Sequence, residues 1–274
     1  MSLLRWVSRR RPLPRTLATH DLTIGVPVHR GLRWSNVISE NLANVPADAT
    51  ILISDCTRED ACLRELRRRH RRDRRVRFTQ GDVSLGWREH INQLILSSRS
   101  AAFSILPQDD SVAEGHYESL IDALNASPAA VLAFPRLVGE YPDGSQHDHR
   151  PIPFALGHED VTEEALRLWY QWNLGVPWRG IVRKPVLRPM LPTPGDQWAD
   201  QLWVFGIALE GHLLEVPHTI YRKRYHDGNT HGNWDPPTAA AVLAMQLAEV
   251  DRRFIDRPEL HQRVRKRVIA AAPS

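Results

Sequence analysis

The stretch that decides the fold is Ala102-Phe-Ser-Ile-Leu-Pro-Gln-Asp-Asp110, an apolar run that stops at Pro107 and gives way to two adjacent carboxylates. A short continuous apolar run bounded by a proline reads as a strand buried on both faces. Ligands in open α/β sheets bind at the carboxyl ends of strands, which is where Asp109 and Asp110 fall. Two carboxylates side by side repel each other and favour a cation. Mg²⁺ or Mn²⁺ takes one or two protein carboxylates and completes its shell with water and substrate phosphate. A cap for a helix starting near residues 111–114 is the competing reading.

Upstream, apolar strands predicted at 22–28, 49–55 and 75–80 alternate with helical patterns at 34–44, in the Arg-rich run, and at 87–98. Downstream come a helix near 114–125 and a strand near 129–138. This rhythm predicts a doubly wound, Rossmann-like α/β fold with a mostly parallel sheet and helices on both faces. Beyond residue 138 the character changes. Residues 139–160 read as loop, 161–172 as helix and 176–195 as a Pro-rich connection. A helix near 198–210, strands at 212–216 and 220–225, and helices at 237–253 and 258–271 complete the chain. The division is a basic tail (1–20), an α/β half (21–138), a second half of the same domain (139–231) and a helical appendage (232–274).

The chain has 274 residues, 42% of them hydrophobic, which is enough for one large core. No apolar run reaches the length of a membrane span, and Arg5 breaks the start too early for a secretory signal. Cys56 and Cys62 form neither a disulfide framework nor a zinc ribbon, so a reducing cytoplasm is expected. Residues 1–20 read as a solvated tail or as a basic amphipathic segment that contacts an anionic membrane peripherally. The arginines of residues 64–77 suit the exposed face of a surface helix better than a nucleic-acid site, because Cys62, Leu63 and Leu66 supply a buried stripe.

Other residues fall at strand ends or helix starts. Asp55 ends the second strand, where it accepts from a nucleobase or ribose or else caps a helix. Pro27, Val28, His29 and Arg30 end the first. Asp200 enters the apolar helix that runs to Gly211. Tyr221-Arg-Lys-Arg-Tyr-His226 is a basic strand closing on a histidine.

This ordered set resembles the family 2 glycosyltransferases of the GT-A fold, over about residues 22–231. The resemblance implies an inverting, hexosyltransferase-type enzyme that uses Mn²⁺ or Mg²⁺, a UDP-sugar or next a dTDP-sugar donor, and a carbohydrate or small-molecule acceptor. It makes residues 21–138 the nucleotide-sugar half and 139–231 the acceptor and catalytic half. Pro27, Val28, His29, Arg30, Asp55, Gly86, Asn92, Asp109 and Arg224 would bind the donor. Gln108-Asp-Asp110 stands for the metal motif, with Asp110 and His226 on the metal, and Asp200 (or Asp196) is the general base. Three departures stand out: Ser54 and Gln108 replace acids, and Ala199 replaces a glutamate.

Trp178 and Trp198, beside Pro-rich loops, are the acceptor candidates, whereas Trp169, Trp172 and Trp203 fit core positions. His147, His149 and His158 lie in a loop with no helix-spaced ligand pair. The chain contains no dinucleotide-binding, Walker or nucleophile-elbow motif.

Overall fold

The structure is a computed structural model that describes residues 16–57, 61–149, 160–171, 175–227 and 237–272. Its first half is β1 (Leu22–Val28), α1 (Ser35–Ala43), β2 (Thr50–Asp55), α2 (Ala61–Arg69), β3 (Val76–Gln80), α3 (Trp87–Ser97) and β4 (Ala102–Ile105). The second is β5 (Ser111–Val112), α4 (His116–Ala126), β6 (Ala130–Glu140), β7 (Gln146–Asp148), α5 (Val161–Gln171), β8 (Ile181–Arg183), α6 (Ala199–Ala208), β9 (His212–Arg224), α7 (Ala239–Phe254) and α8 (Pro258–Ala271). All nine strands form one sheet, in the order β3-β2-β1-β4-β8-β6-β9-β5, with β7 paired to β6.

Strands β3, β2, β1 and β4 run parallel, as the buried strands expected from the sequence require. Leu22, Ile24, Val26, Ile51, Ile53 and Phe103 are fully buried between the helical layers. β6 and β9 are also parallel. The strand between these blocks, β8, pairs antiparallel with both β4 and β6. It falls inside the stretch expected to be a plain connection, because three residues flanked by prolines carry no visible period. Gly180 makes the pairing feasible: a Cβ there would run into the Ala133 carbonyl.

Two further differences bear on the site. No helix starts at residue 111. Ser111 and Val112 pair instead with Arg222 and Tyr221 of β9, and α4 begins only at His116, behind Gly115 at φ 74°. The two strands expected at 212–216 and 220–225 are one strand, β9, with an irregularity in its pairing to β6. Residues 1–15 lie outside the described residues, but Leu17 is buried and exchanges two backbone hydrogen bonds with the Asn125 side chain (2.7 and 2.8 Å). The tail drawn to residue 20 is therefore anchored before it ends. None of the described helices is long and apolar enough to cross a membrane.

α6 is apolar on every side and is buried between α5 and α7. α7 binds it through a buried ionic group: Arg253 donates to Glu249 on its own helix (2.5 Å) and to Glu210 just past the end of α6 (2.6 Å). A Cβ on Gly206 would strike the Glu249 carboxylate and the Arg253 guanidinium. Alanine normally favours a helix over glycine by about 1 kcal/mol, whereas separating a buried ion pair costs about 3 kcal/mol or more. Gly206→Ala is therefore expected to lower stability by about 2 kcal/mol, measured as the shift in a urea unfolding curve; a gain would show that the ionic group moves aside freely.

Candidate active site

The turn from β4 into β5 sends its two acids in opposite directions. Asp110, only 2% exposed, turns inward. It accepts from the Tyr221 hydroxyl (2.9 Å), the Arg224 backbone N–H (3.2 Å) and Arg179 Nε (3.3 Å). Its backbone is fixed as well, since Asn41 of α1 donates to the Asp110 carbonyl (2.8 Å) and accepts from Val112 N–H (3.0 Å). Burial raises the Asp110 pKa against the pull of Arg179. Asp110, expected on the metal, is buried, and its oxygens accept from three protein donors in the interior.

Asp109 is the acid that meets the histidine. Its Oδ2 lies 2.8 Å from His226 Nε2. The Trp34 ring stands 5.1 Å from the His226 ring, with the Arg224 guanidinium 5.5 Å from Trp34. The departure at Gln108 also has a physical reason. Its side chain accepts from the His29 N–H (3.0 Å) and donates to the His29 carbonyl (2.9 Å), pinning the end of β1 to the end of β4.

The residues expected to bind the donor divide in two. Pro27, Val28, His29 and Arg30 lie at the carboxyl end of β1, with Arg30 in the left-handed region at φ 49° and His29 exposed. Asp55 ends β2 as expected, but it is fully buried and its Oδ1 accepts from the Thr57 N–H (2.8 Å) and hydroxyl (2.6 Å). It shapes the turn from inside. Gly86 precedes α3 next to Glu89 and Asp196. Asn92 is also corrected: its amide exchanges hydrogen bonds with the Met190 backbone (3.0 and 2.6 Å), so it braces the 184–197 connection.

Asp200 opens α6 and is buried, its Oδ1 accepting from the Gln201 N–H (2.9 Å). Burial raises its pKa, while that N–H, Arg179 and Lys223 draw it back. Asp196, the alternative base, is held by Arg88 of α3 (2.5 Å). Between them the chain adopts positive φ at Gly195 (61°), Asp196 (57°) and Trp198 (63°), a strained turn of the kind that persists only where the surroundings enforce it. Lys223 feels the fields of Arg179, Asp110, Asp200 and Asp109, and burial pushes its pKa down to about 8.

Arg179 and Lys223 are the members that sequence reading missed. Lys223 had a signal, since alternation along a strand turns it to the side opposite Arg222 and Arg224. Arg179 had none, because it lies in a short turn after a proline.

The tryptophans are also re-sorted. Trp178 is buried edge-to-face against Trp87 (6.5 Å) and Arg179 (5.1 Å), which corrects its expected role as an open acceptor surface. Trp198 is half-buried on the strained turn. Trp203 and Trp169 are core residues of the α6 layer, the latter against Phe205, while Trp172 lies outside the described residues. His147 and His149 sit on and just after β7 with their rings 4.8 Å apart, and His158 lies outside the described residues. Among the described residues no group of three or more His, Cys, Asp or Glu side chains is arranged to hold a metal. Asp109 and His226 offer two donors, a number that suits Mg²⁺ or Mn²⁺ with phosphate and water completing the shell.

This architecture is the GT-A fold of glycosyltransferases. S. aureus TarS residues 1–349 in complex with UDP-GlcNAc superposes with a TM-score of 0.63 at 12% identity, covering 91% of this chain and 72% of that one. A second structure of TarS residues 1–349 gives 0.58 at 13% identity, covering 84% of this chain and 65% of that one. GalNAc-T7 with UDP, GalNAc and Mn²⁺ gives 0.54 at 13% identity, covering 87% and 51%. The chain spans only 43% of the longer TarS structure. No family model matches the sequence, and no curated protein is similar to it in sequence.

Removing Arg179 leaves Asp110 without its charge partner in the interior, which costs about 3 kcal/mol or more. Arg222, whose partner Glu140 lies on the surface, is worth less than about 1 kcal/mol. Urea unfolding of Arg179→Ala and Arg222→Ala is expected to show that order; equal losses would remove Asp110 from the centre of the site.

Proposed function

We propose that this chain is a family 2 glycosyltransferase that moves a sugar from a nucleoside diphosphate, UDP first and dTDP second, to an acceptor hydroxyl with inversion. The observation that carries this reading is the pairing of two differently placed carboxylates about one basic pair. Asp109, joined to His226, and Asp200, buried at the head of α6, both act on Lys223, and Arg179 acts on Asp200 and on Lys223. That is a layout for charge on a leaving group and proton removal from a nucleophile. The UDP, UDP-GlcNAc and Mn²⁺ complexes of the structural neighbours support the choice of donor and metal.

Asp109 and His226 would hold Mn²⁺ or Mg²⁺, which supplies positive charge to the diphosphate as it departs. Arg224, beside Trp34 and His226, adds positive charge to that side. The loop at Pro27 to Arg30 forms the nucleotide wall, held in place by Gln108. Asp200 takes the proton from the attacking hydroxyl, and its raised pKa makes it a stronger base than an ordinary aspartate.

The test is UDP release from a panel of UDP- and dTDP-sugars with Mn²⁺, alongside thermal shifts with the nucleotides alone. Asp200→Asn is expected to keep the nucleotide shift and lose turnover by about 100-fold or more. In the wild type the acid limb of kcat/KM should lie above the ordinary aspartate range, since protonation of Asp200 removes the base as pH falls. No nucleotide shift and no turnover with any donor would contradict the reading.

A further inference from the structure

The β6–β9 side of the site carries a cavity built mostly from residues that the proposed donor site does not use. Glu140, Tyr141, Gln146, Arg224, Tyr225 and His226 line a cavity of about 500 Å³. Tyr141 and Tyr225 lie stacked on its rim, their centroids 4.6 Å apart and their planes within 6°. The Lys223 ammonium lies 4.4 Å from the centre of the Tyr225 ring. Tyr225 thus packs against both the Tyr141 ring and the Lys223 ammonium. A Cβ on Gly139 would press into the edge of Tyr225, so only glycine leaves the ring its place. Tyr141, 39% exposed, therefore offers its outer face to solvent as a fixed aromatic platform.

We infer that this cavity is the acceptor subsite and that it binds a sugar ring stacked on Tyr141. This rests on the glycosyltransferase reading for the reaction, but the binding claim stands separately. The C–H face of a pyranose matches a flat aromatic surface held in advance, which spares the ordering cost of binding. Glu140 and Gln146 beside the ring supply acceptor and donor atoms for hydroxyls, in the manner of a mostly apolar pocket with a few placed polar groups. The cavity shares His226 with Asp109. A ring seated there lies beside His226, the residue proposed to hold the metal with Asp109. The platform also replaces Trp178, which the fold buries.

The test is saturation-transfer NMR on the full chain with Mg²⁺ and UDP, using methyl glycosides of glucose, galactose, N-acetylglucosamine and mannose as probes. Transfer to ring protons of at least one glycoside is expected, falling at least fivefold in Tyr141→Ala and in Gly139→Ala and persisting in Tyr141→Phe. The UDP-induced thermal shift should stay at its wild-type value in the Tyr141 variants, which separates this claim from donor binding. No transfer to any glycoside in wild type, or equal transfer in Tyr141→Ala, overturns the subsite. Transfer confined to uracil protons that Tyr141→Ala abolishes also overturns it, by making the platform a base site. A missing UDP shift in wild type, with glycoside transfer intact and Tyr141-dependent, would sink the donor reading and leave the subsite standing.

Discussion

The site depends on one buried carboxylate. Asp110 gathers the Tyr221 hydroxyl, the Arg224 N–H and Arg179 in the interior, and these three partners come from two otherwise separate pieces of chain. Through them the β4–β5 turn is fixed to β9 and to the turn at Pro177–Arg179. A buried charge that lost these partners would cost several kcal/mol, so the turn has one strongly preferred conformation. Asp109, in the turn that the Asp110 N–H closes on the Pro107 carbonyl, points the other way, into contact with His226.

The same constraint explains why the basic groups stand where they do. β9 presents its residues alternately, so holding the backbone at Arg224 sets Lys223 inward among the carboxylates and Arg224 toward Trp34. Arg179 is shared in a different sense: it bonds Asp110 and its field reaches Asp200. The C-terminal end of α6 is held by α7, whose Arg253–Glu249 group closes on Gly206. The strained turn at Gly195 to Trp198 lies between the Arg88–Asp196 contact and this rigid helix.

Much of the fold was legible because the buried parallel strands β1, β2 and β4 are short apolar runs that end in turn chemistry, and the helices between them show clear periods. β8 was not legible, since three residues between prolines have no periodicity and their pairing is set by the absence of a side chain at Gly180. The site was legible as a neighbourhood: Asp109, Asp200 and His226 sit near strand ends or helix heads, where chain order alone places them. Which of two adjacent acids faces the cleft is a matter of side-chain direction. Residues 108 and 109 form a turn closed by the Asp110 N–H on the Pro107 carbonyl (3.3 Å), and that turn, which carries no periodicity, separates Asp109 from Asp110. Asn92 and Asp55 misled for a shared reason. Polar side chains at strand and helix ends serve backbone groups as often as ligands, and only the three-dimensional partner decides.

The central claim is the division of labour between the two adjacent acids, and the most direct measurement is calorimetric titration of UDP with and without Mn²⁺ into Asp109→Asn and Asp110→Asn. The account predicts that Asp109→Asn loses the Mn²⁺ enhancement of UDP affinity while its unfolding midpoint in urea stays near wild type. Asp110→Asn should instead unfold at clearly lower urea, and its folded fraction should keep the enhancement. An Asp109→Asn protein that still binds UDP more tightly with Mn²⁺, beside a fully stable Asp110→Asn protein that does not, would contradict it.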